Sequence, residues 1–175
     1  GSVQHNAAAV FSLSTILLCT VFACSSEKSY AHDTIPDANV DASQAAATGC
    51  DASLWSHVYS PKRLQQLQPC VSVTGVITES IGESDGDQHF LLTLDPGQGN
   101  LTNRRNAKKK SGGLVLEIVC ANPSSMKKVK SACAGYTNHI PMPAVGTHVR
   151  VTGTYVIDSH NGWAEIHPVS KFEAK

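Results

Sequence analysis

The sequence predicts a mainly β fold of five strands, with a short helix before the first strand and another helix between the third and fourth. Three observations carry that reading. Several stretches alternate apolar and polar residues with a period of two or are apolar throughout, clusters of Gly, Asp, Asn and Ser separate them, and two short segments carry helix signals instead. This order of elements matches a five-stranded, OB-like Greek-key barrel.

"YSPKRLQQLQPC" carries the first helix signal, with Ser60 as N-cap, Pro61 at the first helical position and Pro69 as the stop. "CVSVTGVITES" then alternates, placing Val71, Val73, Gly75 and Ile77 on a core side. "IGESDGDQ" is turn chemistry around Asp85-Gly86. In "HFLLTLD" the pattern turns Phe90, Leu92 and Leu94 inward and His89, Leu91 and Thr93 outward. "PGQGNLTNRRNAKKKSGG" reads as a long basic loop, with an N-glycosylation pattern at Asn100. "LVLEIVC" is apolar nearly throughout, as a strand covered on both faces would be. In "SSMKKVKSACAGY", Met126, Val129, Cys133 and Tyr136 recur at helical spacing. "THVRVTGTYVID" alternates again, with Val149, Val151, Gly153 and Tyr155 on the core side. "WAEIHPVSKFE" is the fifth strand, and Pro168 within it implies an edge position or a bulge. Gly75 and Gly153 fit places where a small barrel bends sharply.

The chain of 175 residues has room for one domain with a sizeable core. Its formal net charge of zero gives no global pull toward nucleic acid or membrane. The charge is unevenly spread, however, since eight of the 14 basic residues lie between Arg104 and Lys130, with Glu117 the only acid among them. At the other end, Val10 to Ala23 is an apolar run without charge, shorter than the roughly 20 residues of a bilayer span and suited to a signal peptide. It ends in "VFAC", which resembles a lipoprotein lipobox with Cys24 as the lipidated residue; cleavage after Ala31 is the competing reading. Residues 1–31 are thus expected to be a leader, the first two a cloning scar, 32–49 a flexible tether, and 50–175 the barrel domain.

Setting aside Cys19 and Cys24 leaves Cys50, Cys70, Cys120 and Cys133. An even set behind a leader reads as two disulfides in an extracytoplasmic protein. Of the three pairings, Cys50–Cys70 and Cys120–Cys133 are favoured because each brackets a candidate helix. No two of these cysteines have the spacing of a zinc knuckle.

The closing stretch "DSHNGWAEIHPVSKFE" carries the candidate site. On a strand, Trp163, Glu165 and His167 share one face and Ala164 and Ile166 the other. The polar set is expected to face water, with Trp163, Glu165, His167 and His89 as ligand-binding candidates. Asp158, His160, Glu165 and His167 are the metal candidates, since imidazole and carboxylate donors suit zinc or a similar ion. The ordinary alternative is structural: a half-exposed strand turns polar residues outward in any case, and neighbouring carboxylates orient histidines without a metal. No residue is singled out as a catalytic nucleophile, and the four remaining cysteines are assigned to disulfides.

"CVSVTGVI", "DGDQHFLLTLDPGQGNLTN", "GGLVLEIVC", "ACAGYTN" and the closing stretch resemble an uncharacterised family of exported bacterial and archaeal proteins. Its members end in the signature D-x-x-H-G-W-x-E-I-H-P-V; here Asn161 stands between His160 and Gly162-Trp163. The resemblance covers about residues 50–172 and implies an exported OB-like barrel, with no activity attached.

The functional expectation is therefore an exported binding or interaction module of OB type, lipid-anchored where Cys24 is the modified residue, its partner unidentified. A metal-dependent, hydrolase-like enzyme using His89, His160, Glu165 and His167 is the second reading. Binding of a polyanion or oligonucleotide through the 104–130 region is the third, and nucleic acid is the less expected partner because that basic loop carries no aromatic residue. A lipid anchor at Cys24 would bring the same loop close to a membrane surface.

Overall fold

A computed structural model describes residues 48–129 and 131–175. The expected leader, the lipidation candidate Cys24 and nearly all of the tether lie outside these residues. The fold is mainly β: a five-stranded mixed sheet of β1 (Leu64–Gly82), β2 (Gln88–Leu94), β3 (Leu114–Ile118), β4 (His148–Asp158) and β5 (Ala164–Ala174). Their order is β1-β2-β3-β5-β4, and β4 pairs back onto β1, so every strand has two neighbours. All pairings are antiparallel except the short parallel contact of β3 with β5, Val115 against Glu165 and Leu116 against Ile166.

Alternation puts the inward set where the pattern predicts it. Val71, Val73, Ile77, Phe90, Leu92, Val149, Val151 and Tyr155 are buried in one interior cluster, together with Leu114, Leu116, Ile118, Ala164 and Ile166. The sheet curls tightly enough that a side chain at two positions has no room. A Cβ at Gly75 would meet the Thr93 carbonyl of β2, and one at Gly153 would meet Ile166 and the Pro168 carbonyl of β5. Pro168 is not on an edge, because β5 is flanked on both sides, but it does sit at a bulge. The β4–β5 register passes from Gly153↔Val169 to Tyr155↔Ile166, so His167 and Pro168 face the single residue Thr154. The bulge frees the chain from the ladder where proline has no N–H to give.

Both predicted helices are corrected. The segment expected as a helix from Ser60 is a single 3-10 turn, Pro61–Arg63, after which the chain is already β1. Ser60 adopts φ 54 and makes no cap. Leu64 to Gln68 instead extend along the far half of β4, with register shifts between Gln66 and Val71 that accommodate Pro69. Backbone hydrogen bonds to β4 override the good helix propensity of Leu and Gln in "LQQLQ", as tertiary context commonly does. A short 3-10 helix does precede β1, at Ala52–His57, capped by Asp51 accepting from Ser53 N at 2.9 Å.

Between β3 and β4 no helix forms among the described residues. The chain makes isolated turns, closed by Val129 N→Met126 O, Ala132 N→Val129 O and Tyr136 N→Cys133 O, each spanning three residues. Cys120–Cys133 and the bond from Asn138 N to Cys120 O at 3.0 Å fold this segment back on the end of β3. A straight helix would carry Cys133 away from it at about 1.5 Å per residue. The one α-helix among the described residues, α1 (Arg104–Lys109), lies instead in the basic loop before β3.

Both favoured disulfides are present, Cys50–Cys70 and Cys120–Cys133. Loops of this length are worth about 3 kcal/mol each in the chain-entropy account. Two disulfides are consistent with an extracytoplasmic protein. Gly153→Ala is expected to cost about 1–3 kcal/mol through overpacking at the β4–β5 crossing, read as a lower urea midpoint; an unchanged midpoint would mean that the crossing has slack.

Candidate functional site

The outer face of β2, β3 and β5 is where the predicted site residues meet, and it is not wet. Among residues expected to face solvent, Glu165 and His167 are 0% exposed and His89 is 7% exposed. The reason is a cover that alternation cannot reveal. Residues 51–64 lie over this face, and Leu54, Val58 and Leu64 pack with Val119 and Val156 in a second apolar cluster, flanked by Trp55 and Tyr136. The cover is fastened to the 120–138 segment by the His57 and Tyr136 rings, stacked with centroids 3.7 Å apart, and by His57 Nδ1 donating to Ala132 O at 2.8 Å.

Beneath the cover the register sets up a row. His89 pairs with Glu117 across β2 and β3, and the parallel Val115↔Glu165 step places His167 abreast of Glu117. His167 Nδ1 lies 3.0 Å from Glu117 Oε2 and 3.1 Å from Glu165 Oε1. Trp163 Nε1 donates to the other Glu165 oxygen at 2.8 Å. Asp87, two residues before His89 on the same face, accepts from Cys120 N at 2.8 Å. His89 Nδ1 is 3.2 Å from Glu83 of the β1–β2 turn. Asp87, Glu117 and His167 each offer one ligand atom, and the three atoms lie within 4.8 Å of one another. His167 Nε2 and His89 Nε2 are buried without a hydrogen-bond partner.

Of the predicted set, Trp163, Glu165 and His167 come together, and His89 stands in the same row beside Glu117. Asp158 and His160 serve elsewhere. Asp158 is buried, paired with Arg63 Nη1 at 3.3 Å, and accepts from the backbone of His160 and Asn161 in the β4–β5 turn. His160 is exposed on that turn. Asp87 and Glu117 complete the cluster and were not among the sequence candidates. Glu117 had a signal, as the one charge inside the apolar run "LVLEIVC"; Asp87 shares the parity of His89.

Electrostatics pull the members apart. Burial, then the Asp85 charge, push the Asp87 carboxyl up to about 7. Burial also pushes Glu117 up, but the charge and hydrogen bond of His167, aided by His89 and Arg63, outweigh it and hold Glu117 down at about 2. Burial alone would lower His167; Glu117 and Glu165 overcome it and raise the imidazole well above its ordinary value. Glu165 is raised, first by burial and then by the Glu117 charge, against the hydrogen bonds from His167 and Trp163. Counting Asp87, Glu117, Glu165 and Asp158 against Arg63, His89 and His167, the region holds four carboxylates and at most three positive charges. Buried charge left uncompensated costs several kcal/mol, so a proton or a cation must balance it.

A surface hollow of about 430 Å³ is lined by Asn122, Pro123, Ser124, Cys133, Tyr136 and Thr137. It borders the disulfide-closed segment, and no member of the buried row lines it. No family model matches this chain, and no curated protein is similar to it.

Asp87 gives a pH dependence with a definite sign. Its folded value lies above the usual carboxyl value of about 4, so its contribution is full below that value and lost as pH rises through about 7. Metal-free protein is therefore expected to show a lower urea midpoint at pH 8 than at pH 5. Asp87→Asn keeps an oxygen for Cys120 N and should remove part of that fall, the raised Glu165 and His167 supplying the rest; an unchanged profile would place the titration wholly in those two.

Proposed function

We propose that the chain is an exported binding module of OB type whose ligand is a single divalent transition-metal ion, held beneath the cover by Asp87, Glu117 and His167. The ring of strand pairings and the parallel β3–β5 contact support the OB-type barrel. The two disulfides and the apolar leader sequence support export to the cell surface, periplasm or medium, with Cys24 as the lipid anchor. The resemblance of the closing segment to the exported family's signature belongs to the same reading.

The metal reading is carried by one observation: a fully buried imidazole with an unpartnered Nε2 stands in a group whose carboxylates outnumber its cations. A divalent ion would take the place of the protons that burial favours on Asp87 and Glu165. Two carboxylates and an imidazole are donors that zinc takes at about 2.0–2.2 Å. Tetrahedral ligands then stand about 3.3 Å apart, and side-chain rotation closes the present spacing of up to 4.8 Å. Binding is favoured over hydrolysis because Glu165 and His167 are fully buried, which leaves a substrate no approach to them among the described residues. The basic region is not the centre of this reading, since the outer face that OB-folds use for oligonucleotides is here covered by the chain itself.

Elemental analysis of chain purified without chelator should find about one zinc, or a similar ion, per molecule. Glu117→Gln and Asp87→Asn should each weaken zinc binding at least about tenfold while the disulfides and circular dichroism stay unchanged. Added zinc should raise the melting temperature of stripped wild type and not of the variants. Wild type that carries no metal and is not stabilised by zinc would end this reading.

A further inference from the structure

The cations of α1 are held in place in a way that a merely solvated loop does not need. Asn103 caps the helix by accepting from Arg105 N and Asn106 N, and Asn106 returns the bond to Asn103 N. Asn106 is 0% exposed. Its side chain also donates to Gly113 O and Ala164 O and accepts from Ala164 N, all at 2.9 Å, which ties α1 to the starts of β3 and β5. Two further bonds fasten α1 to the β4–β5 turn: Asn103 Nδ2 to Gly162 O at 3.0 Å and Arg105 Nε to Asn161 O at 3.1 Å. The Arg105 stem lies against Gly162, where a Cβ would stand 3.2 Å from its Cγ. Lys110 Nζ sits 4.2 Å above the Trp163 ring.

The result is a fixed platform from which Arg104, Arg105, Lys108 and Lys109 are exposed. None of these, nor Lys110, forms an ion pair among the described residues. Like charges gathered without acids repel one another, and a free loop would let them spread. Here a buried asparagine and a capping box hold them together.

We propose that this face docks on the anionic headgroups of a phospholipid bilayer. Charge complementarity names an anionic partner, and two features choose lipid over a single-stranded nucleic acid. A nucleic acid needs exposed aromatic faces for its bases, but the Trp163 ring beside the platform is already capped by Lys110. The sequence also places an uncharged apolar run, Val10 to Ala23, and Cys24 ahead of the domain. Only residues 25–49 separate Cys24 from Cys50. A tether of that length keeps the platform at high effective concentration near any membrane that holds the leader. The proposal is independent of the metal reading, because no residue of the buried row belongs to it.

The test is co-sedimentation of the full chain with vesicles of phosphatidylcholine alone and of phosphatidylcholine mixed with phosphatidylglycerol. Comparing the two separates headgroup charge from any insertion of the leader, which both vesicles share. Wild type should bind the anionic vesicles at least about tenfold more tightly than the neutral ones, with the excess falling as salt rises. Arg104→Glu combined with Lys108→Glu and Lys109→Glu should abolish that excess and leave binding to neutral vesicles unchanged. The same three positions changed to Gln should reduce it in part, and they keep the test valid if charge reversal unfolds α1. Equal binding of wild type to both vesicles overturns the proposal, as does a charge-reversed, folded variant that keeps the preference. Displacement from anionic vesicles by an equal phosphate concentration of single-stranded oligothymidylate would also overturn it, in favour of nucleic acid.

Discussion

The shortest strand pairing in the sheet carries the most consequence. β3 and β5 meet in parallel over only two residue pairs, Val115 with Glu165 and Leu116 with Ile166. That contact links the β1-β2-β3 run to the β5-β4 pair, and with β4 paired back onto β1 every strand has two neighbours. It also decides which residues of distant segments stand abreast. The inner residues, Leu116 and Ile166, join the interior cluster. On the outer face the same register carries His167 to Glu117, and a slip of one residue would send each side chain to the opposite face.

Placing that row under a cover changes its physics. In water, a histidine beside a glutamate is worth little. Under residues 51–64 and the cross-linked 120–138 segment, the same pair separates the behaviour of three carboxyls: Glu117 is held low, while Asp87 and Glu165 are driven up. The cover depends in turn on the disulfides. Cys120–Cys133 folds the segment bearing Tyr136 back over β3, and Cys50–Cys70 fastens the chain just before Leu54 to the middle of β1. A small domain thus spends its cross-links on keeping a polar layer dry rather than on bracing the interior, which alternation already packs.

The basic segment shows a second layer of organisation built on asparagines. Asn103 and Asn106 satisfy the helix start, and Asn106 satisfies backbone groups of two strands at once. A buried amide with all its bonds made is rigid. It fixes the position of six consecutive helical residues whose own length is too short to be stable alone. The β4–β5 turn, ordered by Asp158, receives that helix. Asp158, one of the four metal candidates read from the sequence, is therefore part of the scaffold for the cationic face.

The strands, their inward residues, the glycines at the sharp bends and the choice of edge or bulge at Pro168 were legible in the sequence by itself. Each depends on local periodicity or on proline's missing donor, whereas both cysteine pairings were favoured for bracketing helices that do not form. The helix between β3 and β4, the helix at Ser60 and the exposure of the closing row could not be read correctly, because tertiary contacts decided them. Spacing at three and four residues describes a helix and a run of turns about equally well until a cross-link bends the segment. "LQQLQ" became strand because β4 had an open edge beside it. Alternation tells which residues share a face and says nothing of what lies above that face. Burial of His167 and Glu165, and their meeting with Asp87 and Glu117, came only from a cover contributed by residues far away in the chain.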